Sequence, residues 1–390
     1  MLVIPFADGI GDFVMLLPLL RHIRQRFPDA ALTVAASERS ALLVDEGDDA
    51  LTVRTPSWLR ERPRPRGGPL RRLVPQAVLA SVAGMALRVE LGSYERTLNL
   101  FHWWERGVDF GRYWTPQVPE RPGAAHTLDI LAGRLGEELG APLSHALRIP
   151  RVSVRPSAAT WAAQWWVEAG YAETPVVALV PESNMAIKRW PLHSWARLAD
   201  GLAAAGCRTV LMLPPAPPAV PGALTLHGSS GLLDGSASLG SPSDQTPATT
   251  ATLNRLTRCA PDVVRAPLDR VAAVLARCSL VVGVDTGLLH LAAAVGTRYV
   301  GLFGPTNPRV TGPYEAGLGT CLVAPFAKTS ACAGCWRQFK YIDDRCAALG
   351  TPSCMGVLSP KVVLAASLAE LERVARRGEA AAEDSALVAV

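Results

Sequence analysis

Residues 281–313 read VVGVDTGLLHLAAAVGTRYVGLFGPTNPRVTGP, and this run decides the fold. The stretch Leu280 to Val284 is apolar and rich in valine, a strand pattern that ends at Asp285. Thr286-Gly287 turns the chain. The small-residue helix Leu288 to Val295 starts there, with its first N–H groups pointing back at the turn. A second strand, Tyr299 to Phe303, ends in Gly304-Pro305-Thr306. Two loops then converge at the carboxyl ends of parallel strands, where open α/β sheets bind ligands. A helix N-terminus carries about half a positive charge. Its orphan donors suit a diphosphate. His290 stands in the first turn, where it can face the same anion.

The string D-T-G-L-x-H-L-A-A-A (Asp285 to Ala294) is followed by G-L-F-G-P-T-x-P (Gly301 to Pro308) and T-G-P (Thr311 to Pro313). Together these resemble the nucleotide-sugar site of the heptosyltransferases, glycosyltransferase family nine. Small residues and a glycine turn suit any βαβ unit; the joint string is the uncommon part. The resemblance implies the GT-B fold, an α/β class with two Rossmann-like domains facing across a cleft. It also implies a metal-independent, inverting transferase that needs no cofactor for catalysis.

At 390 residues the chain is long enough for two domains. A hydrophobic content of 49% with 19% charged residues is ample for buried cores, and a net charge of +5 does not indicate nucleic acid as a partner. No stretch reaches the ~20 apolar residues of a spanning helix; the run Leu73 to Leu87 is shorter and contains Pro75 and Gln76. Met1 to Pro5 lacks a basic region and a cleavage site, and reads as the first strand. The expected location is cytoplasmic, with peripheral contact at the inner membrane surface.

The chain opens with a strand, Leu2 to Phe6, a glycine-rich loop and a helix from Phe13 to Phe27, then a strand from Ala31. The plan repeats with a strand at Pro175 to Val180, the loop Pro181 to Arg189, a helix at Leu192 to Ala205 and a strand at Thr209 to Leu213. Residues 1–155 are therefore expected to form an acceptor-binding Rossmann-like domain, and residues 156–358 a nucleotide-sugar-binding one. Within the second, residues 214–252 read as a mobile insertion rich in Pro, Gly, Ser and Thr. Residues 359–377 are expected to form a helix that returns to the first domain, and residues 378–390 a frayed tail.

Glycosyl transfer needs a base for the acceptor hydroxyl, a clamp for the departing diphosphate, and alignment of the two substrates. The string G-I-G-D-F-V-M-L-L-P (Gly9 to Pro18) is similar to the family's opening motif, whose Asp is the proposed base. That points to Asp12, with Gly11 beside the acceptor. A helix N-terminus favours the charged carboxylate, which keeps Asp12 ionised but weakens it as a base. The competing reading of Asp12 is a helix cap. Lys188, in K-R-W-P, resembles the family's K-x-W-P lysine and implies a contact with the diphosphate. Thr286, Gly287 and His290 complete the clamp, with Asp285 orienting the turn or meeting sugar hydroxyls. Gly304, Pro305 and Thr306 form the second loop.

The family pattern is not kept everywhere. The acidic residue expected after the strand at Thr209 to Leu213 is replaced by Pro214-Pro215-Ala216, which leaves the ribose contacts and ADP as the nucleotide open. On the acceptor side, residues 54–72 hold seven Arg against Glu61, among them Arg60, Arg62 and Arg64. Arg forks suit an anionic sugar or lipid-sugar acceptor; a solvated loop is the alternative. Cys332, Cys335, Cys346 and Cys354 are spaced as C-x2-C-x10-C-x7-C, fit for a structural Zn or Fe or for four free thiols. Three functions stay open: heptose transfer from a nucleotide-heptose to a lipopolysaccharide-type acceptor, transfer of another sugar or to a small natural-product acceptor, and a non-catalytic, metal-organised binding protein.

Overall fold

The computed structural model describes residues 1–4, 9–45, 51–55, 97–99, 126–171, 174–214, 246–314, 317–324 and 354–388. They form two α/β units. In the first, strands β1 (Leu2–Ile4), β2 (Leu32–Ala35), β3 (Leu51–Arg54) and β4 (Thr97–Asn99) make a parallel sheet in the order β3-β2-β1-β4. Helix α1 (Ile10–Arg26) follows β1, and helix α2 (Thr127–Leu139) packs on it. Eight consecutive residues of α1, Phe13 to Leu20, are buried. A helix that is buried all round lies between two layers, and α1 has the second unit on its other side.

The second unit begins with helix α3 (Pro156–Glu168). Its strands are β5 (Val176–Val180), β6 (Arg208–Met212), β7 (Asp262–Val264), β8 (Leu280–Val284), β9 (Tyr299–Phe303) and β10 (Gly319–Val323). Its further helices are α4 (Leu192–Ala204), α5 (Thr246–Leu256), α6 (Leu268–Arg277), α7 (Gly287–Ala294), the single turn α8 (Pro308–Thr311) and α9 (Pro360–Val388). The sheet is parallel throughout, in the order β10-β9-β8-β5-β6-β7. Every residue of β5, β8 and β9 is buried, because helices cover both faces. Counted from β5, the order is that of a doubly wound dinucleotide fold, and its switch point falls between β5 and β8. Whatever follows those two strands shares one crevice.

Three boundaries differ from the sequence expectation. Helix α1 starts at Ile10, three residues early, so Asp12 lies inside its first turn. Helix α5 occupies the end of the stretch expected to be irregular, held there by the buried Leu253. Helix α9 runs on to Val388, past the expected end at residue 377. Among the described residues α9 packs on α4, β8, β9 and β10.

The reason is a polar anchor inside the apolar stripe of α9. The Glu370 side chain is fully buried. It accepts from Arg298 Nε at 2.7 Å and from Thr320 Oγ1 at 2.7 Å, and pairs with Arg373. A buried carboxylate is retained only where it is paired and hydrogen-bonded, and these partners sit just before β9, on β10 and on α9 itself. Among the described residues no helix is long and apolar enough to cross a membrane.

The connector between the units is pinned to both. Arg21 Nη2 of α1 donates to Arg151 O at 2.7 Å, Val152 N donates to Ala294 O of α7 at 2.9 Å, and Arg155 Nη2 donates to Ala41 O at 2.7 Å.

Candidate functional site

The switch point brings together residues far apart in the chain. After β5 the loop ends in a short turn that carries Lys188; after β8 comes Asp285. Lys188 Nζ donates to Asp285 Oδ2 at 2.7 Å, with side-chain exposures of 16% and 6%. Burial alone would raise the Asp285 carboxyl above its ordinary pKa. The Lys188 ammonium, with smaller help from Thr306 and His290, overturns this and holds it below. An ammonium has three N–H donors. One is spent on Asp285, so two remain to meet a phosphate entering the crevice.

Helix α7 opens at Gly287 with Thr286 as its N-cap, and the Thr286 side chain makes no cap hydrogen bond. Its first turn is therefore not sealed by its own hydroxyl. The second loop, Gly304-Pro305-Thr306, is buried at the end of β9. The Thr306 hydroxyl lies close enough to Asp285 to favour its charge, yet no hydrogen bond of full geometry reaches Oγ1. A buried polar atom without a partner needs an explanation, and a ligand at this loop supplies one.

His290 is buried. Removal from water lowers its pKa from 6.5 to about 4, against the opposing pull of Asp285, and the ring meets the Thr311 backbone. The imidazole is neutral at pH 7, so it shapes and donates but adds no charge to the clamp. The sign of its pH linkage follows. As pH falls from about 6.5 toward 4, the unfolded chain takes up a proton that the folded protein refuses, and stability declines. Asp285 acts the same way, because its contribution is full above its unfolded pKa and is lost as pH drops through its lower folded one. Stability measured by denaturant unfolding is expected to fall by roughly 2 kcal/mol for the histidine alone between pH 7 and pH 5. In His290→Asn that part of the slope should vanish; an unchanged slope would remove His290 as its source.

The first unit meets the second where their helices begin. A Cβ added to Gly11 would lie 2.9 Å from His290 Cδ2, and one added to Gly287 would lie 2.6 Å from Ile10 Cβ and 2.7 Å from Gly11 N. Glycine at both positions lets the N-termini of α1 and α7 abut, which concentrates partial positive charge from two helices in one place. Asp12 is the next residue along from Gly11. It is half-buried, and its Oδ2 accepts from the N-cap backbone, Gly9 N, at 3.2 Å. The cap reading is thus seen directly, and the carboxylate stands one residue from the junction of the units.

Gly287→Ala tests the junction. A clash with backbone nitrogen cannot be relieved by a rotamer change, and overpacking of this kind costs about 1–3 kcal/mol. A drop in thermal midpoint is expected. Gly133→Ala is the control, because a Cβ there meets nothing within 4 Å. Equal behaviour of the two variants would show that the units do not depend on close approach.

Other expected site residues fall elsewhere. Arg60, Arg62, Arg64, Cys332, Cys335 and Cys346 lie outside the described residues. Cys354 is described and sits under the second loop, where a Cβ on Gly304 would come within 2.8 Å of its Sγ. Among the described residues no group of three His, Cys, Asp or Glu could hold a metal ion. The sequence reading missed Glu182, whose carboxylate follows β5, accepts from Thr249 Oγ1 of α5 at 2.6 Å and pairs with Arg189. Its position at the end of β5, in the loop that leads to K-R-W-P, was the available signal.

Comparisons with known proteins agree with this geometry. The profile of glycosyltransferase family 9 (heptosyltransferase) matches residues 143–220 and 239–334, which contain Lys188, Asp285, His290 and Thr306. The resemblance read from the sequence is borne out. A curated relative, lipopolysaccharide heptosyltransferase 1 of Salmonella typhimurium, is 46% identical over 57 residues, which are 15% of this chain and 18% of that protein. The matched stretch thus spans less than a fifth of that relative's length. Among solved structures, a family 9 glycosyl transferase from Veillonella parvula has a TM-score of 0.62 at 18% identity, covering 95% of this chain and 97% of the other. The E. coli ADP-heptose lps heptosyltransferase II has a TM-score of 0.57 at 18% identity, covering 95% and 98%. These likenesses establish the expected GT-B fold, with two Rossmann-like units.

Proposed function

We propose that this chain, whose second unit matches the family 9 glycosyltransferase (heptosyltransferase) profile, transfers a heptose from a nucleotide-heptose to a hydroxyl of a sugar acceptor. The observation that carries the reading is the part-buried Lys188–Asp285 pair at the switch point, beside a helix N-terminus without a side-chain cap and a Thr306 hydroxyl without a hydrogen-bond partner. A cation, helix dipole and hydroxyl aimed at one crevice suit a diphosphate better than a neutral ligand.

In the proposed reaction the acceptor oxygen attacks the anomeric carbon from the face opposite the diphosphate. The bond from that carbon to the diphosphate oxygen breaks as the new glycosidic bond forms, which inverts the configuration. The acceptor proton passes to the Asp12 carboxylate, and the nucleoside diphosphate leaves with its extra negative charge. Lys188, the first N–H groups of α7 and Thr306 meet that charge. Gly11 and Asp12 place the acceptor, and no metal is required for this step. ADP is the proposed nucleotide, as the name of the E. coli ADP-heptose lps heptosyltransferase II suggests. An anionic lipid-sugar is the proposed acceptor, and the arginines of residues 54–72 would meet it at the inner membrane surface.

One observation favours a second reading, in which another activated sugar is the donor. After β6 the chain continues Leu213-Pro214, with Pro214 O held by Arg265 Nη1 at 2.9 Å, where an acid for the ribose was expected. Native mass spectrometry with ADP-, GDP-, UDP- and dTDP-sugars decides between them. Retention of ADP-heptose alone supports the first reading. Retention of another nucleotide sugar selects the second, and retention of none overturns both.

A further inference from the structure

The T-G-P segment takes no part in the reaction as described, yet among the described residues it joins the two units by several hydrogen bonds. Helix α2 belongs to the first unit, and its N-terminus grips residues 310–314 of the second. Thr127 Oγ1 donates to Val310 O at 2.8 Å, and His126 Nε2 donates to Gly312 O at 2.9 Å. His126 Nδ1 accepts from Leu128 N at 3.1 Å, so the same ring caps α2 and holds the segment. Tyr314 packs edge-on against His126, with ring centroids 4.8 Å apart. Its hydroxyl donates to Asp129 Oδ1 at 2.6 Å, and Arg148 Nη1 donates to the same oxygen at 2.7 Å. Tyr314 is 2% exposed, Val310 is 3% and Thr127 is 4%.

The gripped segment is also a wall of the donor site. It begins four residues after Thr306, and the Thr311 backbone meets the buried His290. The path from first unit to donor site is therefore short: α2 holds the segment, and the segment holds His290. Helix α9 packs on the second sheet.

We propose that residues 310–314 are an interdomain latch, and that Tyr314 and Asp129 are positioning residues that hold the acceptor unit in register with the donor site. With the latch engaged, the α1 and α7 N-termini abut and Asp12 stands next to the donor crevice. With it released, the units separate and the crevice keeps its nucleotide contacts but loses its alignment with Asp12. This assignment rests on the transferase reading for its kinetic arm alone.

The test uses the full chain with Tyr314→Phe, which removes one hydroxyl, and Thr127→Val, which removes one side-chain donor and keeps the shape. Small-angle scattering without ligand is expected to show a larger radius of gyration for the double variant, with both units still folded by circular dichroism. In transfer assays kcat is expected to fall about tenfold for Tyr314→Phe, while the dissociation constant for the nucleotide changes by less than about twofold, the split of an alignment defect. A kcat in Asp129→Asn/Tyr314→Phe no lower than in either single variant would show that the two residues act as one unit, and additive losses would show that they do not. Unchanged scattering in the double variant overturns the latch. So does a loss of nucleotide affinity equal to the loss of rate, since that is a donor-site defect. If the wild-type protein transfers no sugar, the functional reading fails, and the scattering result still judges the latch.

Discussion

Lys188→Met is expected to lower transfer by about three orders of magnitude and to destabilise the fold by roughly 3 kcal/mol, two effects with one cause. The ammonium serves the folded protein by pairing with Asp285 and would serve the reaction by meeting the leaving diphosphate. Without it, the Asp285 carboxylate is left with burial as its leading influence, and it takes up a proton instead of staying charged. A second substitution separates the two effects. Lys188→Met/Asp285→Asn replaces the buried acid, whose protonation costs free energy once its cation is gone, with a neutral amide, so the thermal midpoint should recover most of the loss. Transfer should not recover, because no cation remains for the diphosphate. If transfer returns together with stability, Lys188 is a structural partner of Asp285 and the leaving group is held by other residues. If Lys188→Met is inactive but as stable as wild type, the pair contributes nothing net to folding, as some buried pairs do.

That experiment turns on a contact between residues 97 positions apart, and the sequence made it legible in an indirect way. The run around Asp285 announced strand, turn and helix through an apolar stretch, a Thr-Gly turn and small residues. The run before Lys188 repeated the plan. Two βαβ patterns in one unit leave few strand orders, and the doubly wound one places the ends of β5 and β8 together. The latch could not be read in this way. Thr127 and Val310 are 183 positions apart, and their bond joins a side chain to a backbone carbonyl. Any residue supplies a carbonyl, so no pattern of residue types marks it.

The errors have physical causes as well. The segment TPATTATLNRL is poor in strong helix formers, and propensity argued against α5; burial of Leu253 outweighed it. In the final helix Val363, Ser367 and Glu370 are spaced along one face and all are buried. An acid at helical spacing within an apolar stripe asks for a buried cation. Arg298, next to β9, was the cation in reach, and it fixed α9 to the second sheet.

Asp12→Asn is the other large effect, and it separates two roles that the geometry alone superimposes. Asp12 accepts from the Gly9 backbone and so caps α1. The amide oxygen of asparagine accepts the same hydrogen bond at nearly the same place, so the cap persists and only a few tenths of a kcal/mol of charge–dipole stabilisation are lost. An amide cannot take the acceptor's proton. If Asp12 is the base, transfer falls by about 10²–10⁴-fold while nucleotide binding and the thermal midpoint stay close to wild type. Asp12→Ala removes both roles and should lose a further ~1 kcal/mol of stability with little additional loss of rate. A pH–rate profile adds an independent reading: the limb on which wild-type activity rises with pH should flatten in Asp12→Asn, because the group that must lose its proton has gone. Near-normal transfer by the asparagine variant would make Asp12 a cap and nothing more. The two helix N-termini would then frame a donor site whose acceptor is activated from the other side of the crevice.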